Sequence, residues 1–374
     1  MSHPSSSPAR PLRVVQVATG NLGTEMVGRI RRHRDLELVG VHCYSAEKVG
    51  RDVGEIVGGA PIGLRATGTV EEILAARPDV VTFHGVWPDL DLYERVLEAG
   101  VDVVTTADWV TGHHRVTRHR VAEGPHAGRT EAEVIAAACE RGRSTFYGTG
   151  MNPGLAQILT LVHSADVADI EHVRCLESVD VSCHHSVDTW RNCGFGDPVD
   201  DPETRRRLEH GTRVFEDGVY LMADALDLPL DEVRFACELG ACTEDVDLGW
   251  YHLPAGSLGG AAFRYVGYAG GVPRIELALE WQMTPATEPR WDVQGCYVTT
   301  ITGDPVIHSK HLILPKPGTD FSSVAAFAAI GMTVTGLPAL NALRAVHDAP
   351  PGIVTSADLP LRAFAGRFVR EDPA

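Results

Sequence analysis

Lysine is almost missing from this chain of 374 residues: Lys48, Lys310 and Lys316 stand against 30 Arg. Basic charge as a whole is scarce, with 33 Lys and Arg against 50 Asp and Glu and a formal net charge of −17. A surface of that sign repels nucleic acid and anionic membranes, which excludes binding either as a general function. A local basic spot still suffices for a small phosphate. No apolar run reaches the roughly 18 residues of a membrane helix. The eight cysteines include no Cys-x-x-Cys pair and lie mostly in apolar stretches, the pattern of reduced, buried thiols in a cytoplasmic protein. There is no Gly-x-Ser-x-Gly elbow and no electropositive cysteine motif, so nucleophilic catalysis has no support. Residues 1–12 are rich in Ser and Pro and have no apolar centre, which predicts a disordered tail rather than a signal peptide.

What is present is a regular alternation. Apolar runs at Arg13–Ala18, Glu37–Cys43, Asp79–Phe83, Asp102–Thr106 and Ser144–Tyr147 predict strands, and Leu22–Arg32, Val70–Arg77, Leu90–Ala99 and Thr130–Arg141 predict helices between them. Short strands without polar alternation, separated by helices, indicate a parallel, doubly wound α/β sheet covered on both faces. Later runs are longer and partly alternating: Ile170–Ser182, Val233–Thr243, Ala261–Tyr268, Arg274–Met283 and Val293–Thr302. They predict a second, α+β domain on a mixed or mostly antiparallel sheet, with one charged helix over Pro202–Leu226. A final helical region, Phe321–His347, should be interrupted at Gly336-Leu337-Pro338. The expected layout is a tail (1–12), a Rossmann domain binding NADP (13–161), a substrate and dimerisation domain (162–320) and a C-terminal helical region (321–374) packing back on the first domain.

The first turn carries the clearest motif. Ala18-Thr19-Gly20-Asn21-Leu22-Gly23 fits Gly-x-Gly-x-x-Gly with Ala18 in the first position, at the junction of a strand and a helix where such a motif binds a dinucleotide. Gly20 lets the backbone approach a pyrophosphate, Gly23 permits close helix–strand packing, and the amides of Asn21, Leu22 and Gly23 face the anion. The second strand ends in Cys43-Tyr44-Ser45-Ala46-Glu47-Lys48-Val49-Gly50-Arg51, with no acid directly at its tip. Ser45, Lys48 and Arg51 there suit the 2′-phosphate of NADP, although Glu47 leaves NAD possible. Thr82, His84 and Thr106, at the ends of the third and fourth strands, should line the same groove.

Gly148-Thr149-Gly150-Met151-Asn152-Pro153-Gly154, after the fifth strand, resembles the GTGxNPG segment of the 2,4-diaminopentanoate dehydrogenase family, the group that includes the native amine dehydrogenases. Val103–Asp108 and Gly331–Pro338 extend the resemblance along the chain, and dihydrodipicolinate reductase is a more distant relative. The resemblance implies an NAD(P)H-dependent reductive amination of a small aldehyde or ketone with ammonia, or its reverse, in a homodimer. It also implies a carboxylate after the fourth strand as acid/base. Here that position is Asp108, one methylene shorter than the family's Glu and followed by Trp109.

A carboxylate suits this chemistry because an anion stabilises an iminium cation receiving hydride, and the same group can move the protons of amine addition and water loss. An Asp near pKa ~3.9 needs burial beside Trp109 to serve as acid, while the partner cation opposes that shift. Asn152 is read either as a ligand of the nicotinamide carboxamide or the reacting substrate, or as a helix cap. Trp109, Tyr147, Met151, His184 and His185 are the candidate substrate pocket. Cys183–Asp188 is similar to the HHxxKxD segment of dihydrodipicolinate reductase without its Lys. A long connection between Ala107 and Arg129 holds His113, His114, His119 and His126 at no metal-ligand spacing, and reads as a lid with Arg115 or Arg118 near phosphate. Two rival functions remain open: reduction of a C=O or C=C substrate without ammonia, and a non-catalytic cofactor-binding protein.

Overall fold

A computed structural model describes residues 10–107, 121, 123–318 and 324–361, and Asp108, Trp109 and the histidines at 113, 114 and 119 lie outside the described residues. The chain divides into two compact units, with the divisions after Met151 and after Gly331. The first unit contains β1 (Leu12–Val17), α1 (Asn21–Arg32), β2 (Leu36–His42), α2 (Val53–Ile56), α3 (Val70–Ala75), β3 (Val80–Phe83), α4 (Leu90–Glu98), β4 (Asp102–Thr105), α5 (Glu131–Gly142) and β5 (Thr145–Gly148). The second contains α6 (Ala156–His163), β6 (His172–Asp180), α7 (Val187–Asn192), α8 (Pro202–Gly211), α9 (Val214–Ala225), β7 (Glu232–Cys242), β8 (Val246–Asp247), β9 (His252–Leu253), β10 (Leu258–Ala269), β11 (Val272–Gln282), β12 (Thr287–Glu288), β13 (Cys296–Thr302) and β14 (Ile307–Leu312). α10 (Val324–His347) leads back to the first unit, which β15 (Gly352–Val354) completes.

Among the described residues, the first sheet has the order β15-β5-β4-β3-β1-β2 with every pairing parallel. Period-two burial explains why these short runs become strands covered on both sides. Val15, Val17, Val81, Phe83, Val103 and Phe146 point to one face and pack with Leu92, Val96 and Leu97 of α4 and Ile135 and Cys139 of α5. Their neighbours Val14, Val80, Val104 and Tyr147 point to the other face, against Met26 and Ile30 of α1 and Ala339, Leu340, Leu343 and Val346 of α10. The strand order reverses direction around β1, which has β2 on one side and β3 on the other. Open α/β sheets bind ligands at the carboxyl ends of the strands flanking that reversal.

The second unit is built on a seven-stranded sheet, β12-β7-β10-β11-β6-β13-β14, antiparallel except for the β11–β6 pair. The mixed sheet expected from the sequence is therefore present. β8 and β9 pair apart from it, and no described helix is long and apolar enough to cross a membrane.

Two local expectations are corrected, and two strands were missed. The charged stretch 202–226 forms two helices, because Thr212 leaves the helix after Gly211 and turns its hydroxyl back to Leu208 O at 2.6 Å. α10 runs unbroken through Pro338; the buried neighbours Ala339, Leu340, Ala342 and Leu343 give it enough apolar contact to offset the missing N–H. The exposed β14 was not visible as a strand because it is mostly polar, and β15 because it is only three residues long.

Candidate cofactor site

β1 delivers the chain to a tight turn. Ala18 sits there at φ +72°, in the left-handed region where a side chain is disfavoured and which the first Gly of the motif ordinarily occupies. A Cβ on Gly23 would lie 2.2 Å from Ala18 O, so only glycine allows α1 to pass this close to the end of β1. A Cβ on Gly20 would meet no protein atom within 4 Å, so the turn is open on that side. α1 begins at Asn21 without a side-chain cap and without an acid in its first turn. Its first amides thus carry the uncompensated positive end of the helix. These features fit the pyrophosphate of a dinucleotide: open space, orphan donors and positive potential coincide.

The turn is braced from below. Gln16, fully buried in β1, donates from Nε2 to Val17 O at 2.7 Å and Ala18 O at 3.2 Å, and its Oε1 accepts from Thr82 Oγ1 at 2.8 Å. Thr82 is therefore used inside the protein. The only sequence signal for Gln16 was a lone amide within an apolar strand. Lys48 Nζ donates to Thr19 O at 3.0 Å and to Thr19 Oγ1 at 3.1 Å, tying the β2 tip to the turn.

Above the turn opens a cleft of about 1120 Å³, wholly within the first unit, lined by Ala18, Thr19, Gly20, Tyr44, Ser45 and Lys48 on one side. The segment after β3, Gly85–Asp91, lines the other side. Tyr44 and Trp87, which carried no signal in the sequence, are about 57% and 58% exposed. Tyr44 donates to Asp89 Oδ2 at 2.6 Å, and Asp89 Oδ1 accepts from Leu92 N at the start of α4. Asp89, Asp91, Glu123 and Glu131 give the lining an acidic share, whereas the exposed Arg51 is not part of it.

At the β3 and β4 tips, His84 Nδ1 lies 2.8 Å from Thr106 Oγ1, while Nε2 is buried without a partner. Burial lowers the His84 imidazole to about 3, so the ring is neutral and keeps one nitrogen for a ligand or an ordered water. Thr105 Oγ1 accepts from Ala107 N at 3.0 Å, which fixes the turn just after β4.

Asn152 is engaged elsewhere. Its Nδ2 donates to Glu177 Oε2 at 2.8 Å and its Oδ1 accepts from Gln157 Nε2 at 2.8 Å, while Gln157 Oε1 accepts from Gly154 N. Glu177 also accepts from Trp281 Nε1 at 2.7 Å and from Tyr297. Burial pushes its carboxyl above the ordinary value although these donors oppose the shift. Asn152 thus belongs to a closed polar cluster in the second unit, which the sequence could not reveal because Glu177 and Trp281 are distant in the chain. Tyr147 lies in the core of the first unit, its hydroxyl 2.9 Å from Ser356 Oγ and pushed up to about 12 by burial. Met151 is also buried. In the second unit, His184 and His185 are exposed; the first meets Trp190 edge-on at 5.4 Å and the second stacks on Trp250 at 4.8 Å.

No protein-family model matches the chain. An amine dehydrogenase of Streptomyces virginiae is 28% identical over 367 residues, covering 94% of this chain and 97% of that protein. A 4-hydroxy-tetrahydrodipicolinate reductase of Synechococcus elongatus is 34% identical over 116 residues, 29% of this chain and 41% of that enzyme. In fold, the chain is similar to the amine dehydrogenase of Mycobacterium smegmatis, with a TM-score of 0.72 at 18% identity over 93% of this chain and 96% of that one. The resemblance read from GTGxNPG therefore extends along nearly the whole sequence, and the fold agrees with it.

Proposed function

We propose that this protein is an NAD(P)-dependent oxidoreductase acting on C–NH2 and C=N bonds, an amine dehydrogenase that aminates a small aldehyde or ketone reductively. The observation that carries this reading is the similarity to an amine dehydrogenase over 94% of the chain. The open, uncapped turn at Gly20 and the cleft beside it support the cofactor half of the reading.

Bound there, a reduced nicotinamide dinucleotide would supply hydride. The α1 amides of Asn21, Leu22 and Gly23 would hold its pyrophosphate, and neutral His84 would offer Nε2 near the β3 and β4 tips without adding charge. Ser45 and Lys48 are proposed to receive a 2′-phosphate, with Arg51 reaching in from the same loop, which makes NADP the preferred form. The acidic share of the cleft lining favours NAD as a second reading, since carboxylates repel a phosphate dianion and accept from ribose hydroxyls. Asp108, two residues beyond Thr106, is proposed to stabilise the substrate iminium and to relay protons during amine addition and loss of water. Trp109, His184 and His185 are retained as proposed substrate contacts, in a homodimer.

The test is oxidation of NADPH and NADH across a panel of aldehydes and ketones, with and without ammonium, for wild type and Asp108→Asn. Ammonium-dependent turnover that falls at least a hundredfold in Asp108→Asn is expected. Equal turnover without ammonium supports the carbonyl-reductase rival, and an Asn variant as fast as wild type removes Asp108 from the chemistry.

A further inference from the structure

We infer that Tyr44 and Trp87 form the subsite for the adenine ring of the dinucleotide; this deepens the cofactor reading above and rests on it. Among the described residues, these two are the only Phe, Tyr or Trp side chains that are exposed, and both line the one cleft. Val86, about 59% exposed, stands beside them. Leaving two large rings in water on the same cleft is unfavourable unless something flat and apolar covers them.

The position selects the adenosine half. Tyr44 lies two residues past the end of β2, and the tip of the second strand is where a parallel nucleotide-binding sheet meets the adenosine ribose. Trp87 faces the same cleft from the connection between β3 and α4. The Tyr44 ring is also preset: its hydroxyl is fixed to Asp89, and its edge contact with His42 has ring centres 5.1 Å apart at 89°. A ring already ordered loses little freedom on binding. Aromatic stacking tolerates any flat base and needs no base-specific hydrogen bond. It acts alike on NAD and NADP, which share adenine, so the subsite contributes affinity without choosing between them.

The experiment titrates the full chain calorimetrically with NADH, NADPH and reduced nicotinamide mononucleotide, which lacks adenosine. Wild type is compared with Tyr44→Ala, Trp87→Ala and Trp87→Phe. Both alanine variants are expected to bind NADH and NADPH about tenfold more weakly, by equal factors, and the mononucleotide within twofold of wild type. Trp87→Phe should recover most of the loss. Alanine variants that hold both dinucleotides as tightly as wild type overturn the inference, and so does an equal loss for the mononucleotide. If wild type binds neither dinucleotide, the cofactor reading fails and the subsite falls with it.

Discussion

Two polar regions of this molecule are built on opposite principles. The turn at the end of β1 leaves groups unspent: α1 starts uncapped, His84 Nε2 has no partner, and two aromatic rings face water. The cluster around Glu177 leaves none of its carboxylate idle, since Asn152, Trp281 and Tyr297 all donate to it. Unsatisfied buried groups cost free energy and persist where a ligand completes them, whereas closed networks hold a shape. The difference teaches that Asn152 of the GTGxNPG segment is fixed by the fold of the second unit, whereas the β1 turn keeps donors and open space that the protein itself does not fill.

Breaking the closed cluster should have the largest effect. Glu177→Ala strands three donors, each costing about 1–3 kcal/mol when buried, so a loss of at least about 3 kcal/mol is expected in urea unfolding. A variant as stable as wild type would show that the cluster is hydrated and open. Next, Gly23→Ala drives a methyl into Ala18 O and should cost roughly 2 kcal/mol, with cofactor affinity lost as well. Gly20→Ala sharpens the contrast: its stability should stay within about 0.5 kcal/mol of wild type, while dinucleotide binding weakens at least tenfold. If both glycine variants lose stability alike, the space above Gly20 is not reserved for a ligand.

The pH dependence sets two histidines of the first unit against each other. His84 has a lowered folded value, so between about 6.5 and 3 the unfolded chain takes up a proton that the folded chain refuses. Stability contributed at neutral pH is lost as pH falls through that window, by up to about 1.4 kcal/mol per unit. His347 donates from Nδ1 to Asp102 Oδ2 at 2.8 Å and is raised by it, so its contribution is present below about 6.5 and lost as pH rises through its folded value. Urea midpoints at pH 5, 6 and 7 should therefore show a shallower acid loss in His84→Gln and a steeper one in His347→Gln; parallel curves for all three proteins would refute the assignment. The smallest effect is expected at Ala18→Gly, where relief of the left-handed backbone should leave stability unchanged or raised by up to about 1 kcal/mol.

β1 to β5 were legible because each is a short apolar run whose alternate residues serve two different cores, as Val14 and Val15 or Val103 and Val104 do. The turn was legible from its glycines and its place after β1. Gln16 was visible only as an oddity, since its link to Thr82 forms only once β1 and β3 are paired. Tyr44 and Trp87 sit in irregular segments with no period to mark them. The partnership of Asn152 with Glu177 depends on α6 and β6 packing in one unit, which no local pattern encodes. The continuity through Pro338 went against local propensity because tertiary burial outweighs it.

β15 has a consequence for how this protein is made. Its pairing with β5 is reinforced by a contact between the Tyr147 and Ser356 hydroxyls, 209 residues apart in the chain. During synthesis the first sheet must wait, one face covered by α1 alone and the β5 border unpaired, until the last helix and strand have left the ribosome. Such distant closure slows folding and exposes an adhesive edge meanwhile. Nascent chains halted before residue 330 should bind holdase chaperones, and release them once translation passes the C-terminal strand.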